Sequence, residues 1–230
     1  MNLGQVVQHV RDTSKQFGPA AALYDLEYRG LNHIVPVQVL RGMTVEVGDI
    51  NPKLFDAGEF SAHFCSREEL LTSIAEPEVA AEMSSEFVEC ALPRGDECYG
   101  IFDGDRLVSF GWYSSRPTRV ADDLVLHFDP AWVYMYKGYT LRAYRGKRLH
   151  GIGMSLAARA YTKRGSRGLI SYVEANNYPS LRSTEKMGYK TFGAVYVARA
   201  LGRALTWATP GCKPYGFQLE WSGAGHLALS

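Results

Sequence analysis

Short apolar runs separated by polar turns dominate the chain from about residue 60 onward. Asp103-Gly104 lies between two apolar runs, which predicts a β-hairpin. Ser66 followed by Glu69 has the capping-box spacing and predicts that a helix begins there. From residue 60 the predicted order is β-α-α-β-β-β-α-β-α-β. This order predicts an α+β fold of α/β-like character, with a mixed, mostly antiparallel central sheet and helices on both faces.

The first 55 residues show a weaker pattern. Apolar spacing predicts two helices, ending near Phe17 and Leu31, and then a strand pair around Arg41-Gly42 that begins at Val35. We therefore divide the chain into an N-terminal extension, residues 1–55, which packs on the core, and a main domain, residues 56–230.

Composition narrows the class of protein. The 230 residues are 46% hydrophobic and 21% charged, which is typical of a globular chain. No apolar run approaches the ~18 residues of a membrane span, and no signal peptide is recognisable, so we expect a cytoplasmic protein. The four cysteines form no C-x-x-C pair and have no histidine at ligand spacing, so we expect no metal site.

The charge is unevenly distributed. Residues 1–130 contain 10 Lys and Arg against 21 Asp and Glu, whereas residues 131–230 contain 15 against 3. This split predicts that the C-terminal half meets an anion, and the alternative is that the two halves pair with each other. The cations lie among apolar strands rather than in one basic run, so we expect no nucleic-acid partner.

The segment with the most chemical information is a strand, a basic glycine-containing loop and a helix within residues 134–164. Arg145, Lys147 and Arg148 stand just before the predicted helix. A helix N-terminus has unpaired N–H groups and the positive end of the helix dipole, which attract phosphate. Neither the P-loop pattern nor G-x-G-x-x-G is present.

The motifs that follow the loop resemble those of the GNAT superfamily of acyl-CoA-dependent N-acyltransferases. The family pattern is Q/R-x-x-G-x-G/A, followed by a helix and a strand, then N-x-x-A/S and a helix that ends in K-x-G-F/Y. Asn177 and Lys186-Met-Gly188-Tyr189 match the later parts. The resemblance covers about residues 60–200 and is strongest over 139–190.

Two alignments place the loop pattern. Arg148-Leu-His-Gly151-Ile-Gly153 matches every letter. The second, Arg145-Gly-Lys-Arg148-Leu-His150, keeps the family's helix length and its distance to Asn177. We favour the second, because helix length is tied to geometry. It places Arg148 and His150 where the family has Gly and Gly or Ala, close to the expected pyrophosphate.

The resemblance implies direct attack of an amine on the thioester of acetyl-CoA or another acyl-CoA, with a backbone N–H stabilising the oxyanion. It also implies a donor-binding set at the end of the strand, in the loop and at the pantetheine arm. The residues of this set are Tyr139, Thr140, Leu141, Arg145, Gly146, Lys147, Arg148, Leu149, His150, Gly151 and Asn177.

Two side chains are candidates for catalysis. Glu174, at the end of a central strand, is the first candidate for a general base, and the alternative is a structural carboxylate paired with Arg182 or Lys186. His127 is the second candidate, with a packing role as its alternative. The family often places a Tyr acid seven residues after the Asn, where this chain has Thr184.

We therefore expect an N-acyltransferase, most simply an N-acetyltransferase, acting on a small-molecule or peptide amine without a metal. One alternative is transfer of a long acyl chain into a pocket walled by residues 1–55. Another is a non-catalytic module of the same fold that senses acyl-CoA, favoured by Thr184 and by the bulky loop residues. The resemblance leaves a homodimer open, and the acceptor amine has no readable motif.

Overall fold

Two β-sheets organise the chain, seen in a computed structural model that describes residues 3–32, 37–200 and 203–222. The helices are α1 Leu3–Phe17, α2 Pro19–Asn32, α3 Arg67–Ser73, α4 Pro77–Ala80, α5 Ser85–Ala91, α6 Leu149–Lys163 and α7 Tyr178–Met187. The strands are β1 Val37–Val45, β2 Ser61–Phe64, β3 Glu97–Asp103, β4 Arg106–Ser114, β5 Thr118–Ala121, β6 Leu124–His127, β7 Trp132–Thr140, β8 Gly168–Glu174, β9 Lys190–Ala200, β10 Arg203–Ala208 and β11 Gln218–Trp221.

The large sheet has eight strands in the order β10-β9-β1-β8-β7-β4-β3-β2. Strands β7 and β8 are parallel, and the other neighbouring pairs in this sheet are antiparallel. The long α6 connects β7 to β8, as a parallel crossover requires. The predicted α+β fold with a mostly antiparallel sheet is confirmed.

Helices cover both faces of the large sheet. On one face Trp112 of β4 donates its indole N–H to the sulfur of Met83, 3.3 Å away, and its ring meets Phe87 of α5. On the other face Gly153 of α6 lies directly against Ile101 of β3. Successive strand residues point to opposite faces, so β3 and β4 are buried between two helical layers.

A second sheet has three strands in the order β11-β6-β5, and its strand β11 lies against β10 of the large sheet. Its Leu126 and Leu219 pack with Trp132 and Ile170 of the large sheet in a second buried cluster. Each of its strands has four residues. Strands this short contain too few residues to show a clear alternation of apolar and polar positions, so the sequence pattern did not predict this sheet.

The predicted strand pair around Arg41-Gly42 is wrong. Residues 37–45 form one strand, β1, which lies inside the large sheet between β8 and β9, and Phe192 of β9 is a bulged residue opposite Gly42 and Met43. A Cβ on Gly42 would lie 2.5 Å from the ring of Phe192, so the glycine makes room for an aromatic ring rather than for a turn. Val35, where the pair was expected to begin, lies outside the described residues.

The local signals were more reliable. Ser66 and Glu69 form the predicted capping box at the start of α3. The hairpin between β3 and β4 turns at Gly104, which has a φ of 58°. The second helix of the predicted order is divided into α4 and α5, because Ser84 caps a new helix.

The N-terminal helices pack on α7. The hydroxyl of Tyr178 donates to the carbonyl oxygen of Ala21 at 2.7 Å, and its ring stacks on Phe17 at 5.3 Å. The guanidinium of Arg182 lies over the same Phe17 ring. These contacts join α1 and α2 to the start of α7. None of the described helices is both long enough and apolar enough to span a bilayer.

Gly188, the glycine of the predicted helix-ending motif, lies close to the backbone at Asp49. It ends α7 with a φ of 103°, and a Cβ there would lie 2.1 Å from the carbonyl oxygen of Asp49. Gly165, at the end of α6, has a φ of 98° but no described atom within 4 Å of such a Cβ. We expect Gly188→Ala to lower the unfolding free energy by about 3 kcal/mol or more, against about 1 kcal/mol for Gly165→Ala. Urea titration of both variants checks this, and equal losses would contradict the close approach.

Candidate functional site

The two parallel strands of the large sheet separate part of the way along their length. Strands β7 and β8 pair only from Trp132 and Gly168 to Tyr134 and Ile170. At the next position the backbone pairing is replaced by a side-chain contact, in which the Ser171 hydroxyl donates to the Met135 carbonyl of β7 at 2.7 Å. Beyond it, β7 continues beside β4 and β8 continues beside β1. We call the resulting gap, between residues 135–140 and 171–174, the β7–β8 opening.

A β-bulge lies at the start of this opening. Trp112 pairs with Lys137 and Tyr113 pairs with Met135, so Tyr136 is an extra residue on β7. A bulge bends its strand and increases the local twist, which turns β7 away from β8. The bulge therefore gives a physical reason for the opening.

Buried polar contacts hold the side chain of the bulged residue. The Tyr136 hydroxyl donates to the carboxylate of Asp96 at 3.1 Å, and Arg94 donates to the same oxygen at 2.8 Å. Burial, together with the Asp96 carboxylate, raises the pKa of Tyr136 well above its ordinary range, so the hydroxyl remains a donor. The sequence analysis did not find this cluster, because Asp96 and Tyr136 are 40 residues apart and no sequence motif connects the two positions.

Helix α6 begins with unsatisfied backbone donors. Its N-cap, Arg148, supplies no side-chain acceptor, and the first helical bond runs from Ile152 N–H to the Arg148 carbonyl at 3.0 Å. The N–H groups of residues 149–151 precede that bond and have no acceptor within the helix. With the helix dipole, they form a site that favours an anion.

The backbone of Arg148 distinguishes the two loop alignments. Its φ is 62°, and it is the one non-glycine residue with a positive φ in the described ranges. This conformation costs a residue with a side chain about 1–2 kcal/mol and suits glycine. The alignment that begins at Arg145 places the pattern's glycine here. The other alignment places Gly151 and Gly153 inside α6, so the geometry supports the alignment that begins at Arg145.

Many cations of the C-terminal half pair with carboxylates of the N-terminal half, as the alternative interpretation of the charge split expected. These ion pairs are Arg142–Glu78, Arg164–Glu97, Arg167–Glu46, Lys190–Asp49 and Arg199–Asp123. Five of the 15 cations in residues 131–230 are thus paired internally, and the cations outside these pairs remain for an external anion.

Three such cations flank the start of α6. Arg145 donates to the Tyr139 hydroxyl at 3.2 Å and to the Thr140 carbonyl, and Lys147 lies over aromatic rings, including that of Tyr144. Within the described part of the chain, none of Arg145, Lys147 and Arg148 forms an ion pair, and all three are exposed. Positive charge thus remains where the free helix amides lie.

A carboxylate from α4 fixes the loop to the strand before it. One oxygen of Glu78 accepts from the Tyr139 hydroxyl and from the Arg142 N–H, each at 2.7 Å. These two hydrogen bonds lower the pKa of Glu78 below its ordinary value. Sequence reasoning missed Glu78, since 61 residues separate it from Tyr139 and no spacing signal connects them.

The other predicted loop residues divide between the loop surface and the core. Gly146 is exposed with a φ of 84°, while Leu149 is buried and Gly151 packs near Met187. The Leu141 N–H donates to a β4 carbonyl, so that donor is already used.

The ring of His150 faces the sheet. A Cβ on Gly138 would lie 2.6 Å from Cε1 of His150, which places the ring directly against β7. Burial lowers the pKa of His150 below its ordinary value, so the ring is neutral at pH 7. The Thr140 hydroxyl lies on the same strand and hydrogen-bonds Ser109 at 2.7 Å.

Glu174 and Asn177 lie together at the end of β8. The Asn177 N–H donates to the Glu174 carbonyl, and the Asn177 side chain caps α7 by accepting from Ser180 N–H at 3.3 Å. The Glu174 carboxylate is exposed and accepts from the side chain of Gln38 at 3.4 Å. Both predicted residues therefore stand beside the β7–β8 opening with their side chains accessible.

Neither Arg182 nor Lys186, the two expected partners of a structural carboxylate, forms an ion pair with Glu174 among the described residues. Arg182 donates to the Gln16 carbonyl at 3.3 Å. The Thr184 hydroxyl donates back to carbonyls of its own helix, those of Ser180 and Leu181.

His127 lies away from this group. It is in the small sheet, where its ring contacts the carboxylate of Glu220 at 3.0 Å. Its neighbour Leu126 faces the core, so His127 faces the outer side. Among the described residues, no group of three or more His, Cys, Asp or Glu side chains is arranged to hold a metal ion.

No protein-family model and no curated protein matches the chain. Solved structures do match it. A GCN5-related N-acetyltransferase-like protein from Streptococcus suis 89/1591 is 19% identical with a TM-score of 0.49, and the match covers 77% of this chain and 68% of that one. A GCN5-related N-acetyltransferase from Kribbella flavida is 18% identical with a TM-score of 0.45, and the match covers 88% and 65%. A Drosophila protein is 15% identical with a TM-score of 0.47, and the match covers 73% and 52%.

The chain spans between about half and two thirds of the length of these three structures, from 52% to 68%. At such identities the similarity concerns the fold alone. The chain's own element order from β2 to β9 follows the predicted one, apart from the divided helix and the inserted strands β5 and β6. This order of elements is the one that the resemblance to the GNAT superfamily led us to expect.

Glu78 gives this site a pH dependence. Its folded-state pKa lies below the ordinary 4.5, so its contribution to stability is complete above that value and is lost as the pH falls through the folded-state pKa. We expect Glu78→Gln to be less stable than the wild type at pH 7, with a difference that shrinks at acid pH.

Urea unfolding from pH 7 to pH 3 measures that difference. Glu59→Gln, which removes an exposed carboxylate, is the matched control. A Glu78→Gln defect of the same size at every pH would contradict the contact with Tyr139 and Arg142.

Proposed function

We propose that the chain is an N-acyltransferase that transfers the acyl group of an acyl-CoA, most simply acetyl-CoA, to an amine of a small molecule or peptide. One observation carries the proposal. The β7–β8 opening lies beside a helix N-terminus with unsatisfied amides and beside three cations that form no ion pair with any of the residues the structure describes. An acyl-CoA matches both features, because its extended thioester arm suits the opening and its diphosphate suits the positively charged helix N-terminus.

The phosphates of the donor are assigned to the start of α6. The N–H groups of residues 149–151 and the side chains of Arg145, Lys147 and Arg148 supply donors and positive charge there. Charge-assisted hydrogen bonds of this kind are about twice as strong as neutral ones. His150 faces the sheet, so we assign it to fixing the first turn of α6 against Gly138 rather than to the phosphates.

The pantetheine arm is assigned to the edge of β7. Past Met135, whose carbonyl oxygen accepts from the Ser171 hydroxyl, no described β8 residue pairs with that edge, and an unpaired strand edge offers N–H and C=O groups to an extended ligand. The amides of pantetheine are suited to such pairing. The thioester then lies near the bulge at Tyr136, where a backbone N–H is assigned to the oxyanion.

The reaction follows the direct mechanism that the resemblance implies. The amine nitrogen attacks the thioester carbon, the tetrahedral oxyanion collapses, and the carbon–sulfur bond breaks. Glu174, exposed beside the opening, accepts the ammonium proton, directly or through water. The thiol has a pKa of about 8.5, so it leaves as a thiolate and takes its proton from solvent. We assign no role to Thr184 or His127.

A non-catalytic module that binds acyl-CoA is the second candidate. The observation that favours it is the Thr184 hydroxyl, which donates to its own helix and so provides no acid at the position where the family often has Tyr. Transfer of a long acyl chain has less support, because residues 37–45 of the expected pocket wall form a strand inside the sheet. A cytoplasmic location and a homodimer remain predictions.

Donor binding tests the loop. We expect Arg145→Ala to weaken CoA binding about tenfold, the effect of losing one charge-assisted contact, while Arg203→Ala on the distant strand β10 leaves it unchanged. Isothermal titration calorimetry measures both. Absence of binding at millimolar CoA in the wild type would overturn the proposal.

The backbone of Arg148 gives a paired test. Arg148→Gly and Arg148→Ala remove the same charge, but only glycine relieves the left-handed conformation and opens the backbone to the pyrophosphate. We expect Arg148→Gly to bind CoA several-fold more tightly than Arg148→Ala and to have the higher melting temperature. Indistinguishable variants would argue against the alignment that begins at Arg145.

The general base tests catalysis. We expect Glu174→Gln to lower kcat at least tenfold and to leave the KM for acetyl-CoA unchanged. An amine panel assayed by release of free thiol supplies the measurement, with Glu185→Gln on α7 as the control. If CoA binds but no amine is acylated, the non-catalytic candidate replaces the enzyme.

A further inference from the structure

Two cysteines lie opposite each other where strand β2 ends. The last pair of the β2–β3 ladder is Phe64 with Tyr99, and the next residue, Cys65, donates its N–H to the Cys98 carbonyl at 2.8 Å. The ladder thus extends by one pair, Cys65 with Cys98. Directly opposed antiparallel residues have Cα atoms about 5.5 Å apart, within the range of about 4.4–6.8 Å that disulfides span.

The two thiols share one face of the sheet. Gly100 is two residues from Cys98 on β3 and therefore on the same face. A Cβ on Gly100 would lie 2.6 Å from the sulfur of Cys65, so that sulfur extends over β3 on the Cys98 side. Burial, together with the neighbouring Cys65 thiol, raises the pKa of Cys98. Both cysteines are free thiols in the structure.

The two thiols differ in solvent accessibility, and this difference determines which of them reacts first with an external reagent. Cys98 is 1% exposed, whereas Cys65 is half-buried at the start of α3. An external reagent therefore reaches Cys65 first. Cys90 lies elsewhere, in α5, and the buried Cys212 contacts the Ala194 carbonyl.

We infer that Cys65 and Cys98 are a reversible thiol–disulfide pair, oxidised by a low-molecular-weight disulfide, that locks β2 and the start of α3 to β3. The Cys65 thiolate attacks one sulfur of the reagent, whose S–S bond breaks and releases a thiolate. The Cys98 thiol then passes its proton to that released thiolate, and its sulfur attacks the Cys65 sulfur, so the second half of the reagent leaves as a thiolate and takes a proton from solvent. Two protein thiols are oxidised and one reagent disulfide is reduced to two thiols.

The lock encloses a functional segment. Residues 66–97 include α3, α4 and α5, and with them Glu78, which holds the loop beside the proposed donor site. Closing this loop removes conformational freedom from the unfolded chain, so the oxidised protein is the more stable form. The inference does not depend on the proposed acyltransferase function.

Glutathione disulfide is the probe for this pair. We expect the full chain, reduced and then treated with it, to lose two hydrogens in its intact mass, and peptide mapping after alkylation to join Cys65 to Cys98. Cys90→Ser and Cys212→Ser are the matched controls and should give the same product. Cys98→Ala should instead trap Cys65 as a stable mixed disulfide with glutathione.

Thermal unfolding gives a second measurement on the wild-type chain, independent of any variant. We expect oxidation to raise the melting temperature by several degrees and a dithiol reductant to reverse the change. A wild-type chain that stops at a glutathione adduct, that joins Cys65 to Cys90, or that melts at the same temperature in both forms would overturn the inference.

Discussion

The parallel pairing of β7 with β8 stops after three residues, and this interruption determines the arrangement of the candidate site. A strand that pairs with β4 through a bulged register bends out of the plane that β8 follows. The bulged Tyr136 is fixed by Asp96, which is itself buried and held by Arg94, so the bend is built into the packed structure. Residues 136–140 of β7, which have no described partner on β8, then extend an unpaired strand edge toward the start of α6.

Electrostatics adds a second constraint at the end of that edge. The acidic N-terminal and basic C-terminal halves satisfy part of each other's charge through ion pairs that connect distant parts of the chain. Against this background the cations at 145, 147 and 148 differ, since they adjoin helix amides that also have no acceptor. Excess positive charge in one short loop is better evidence for an anion site than the overall charge of a half-chain.

Local rules explain which parts of the fold could be predicted from the sequence. The capping box at Ser66, the hairpin turn at Gly104 and the limits of α6 depend on residues within a few positions of each other, and the structure follows them closely. The turn predicted at Gly42 was wrong, because glycine is favoured both in turns and where an aromatic ring packs closely against the backbone. Only the ring of Phe192, 150 positions away in the sequence, decides between them.

The site was predictable to the same degree. The loop and Asn177 were found from motif spacing, whereas Glu78 and Asp96 were not, because each contacts β7 across a long stretch of chain.

Hydrogen–deuterium exchange with and without CoA tests the central claim most directly. Our account predicts slower exchange in peptides that cover residues 135–141 and 149–152, on both sides of the basic loop. Protection confined to other segments, or none at millimolar CoA, would contradict it.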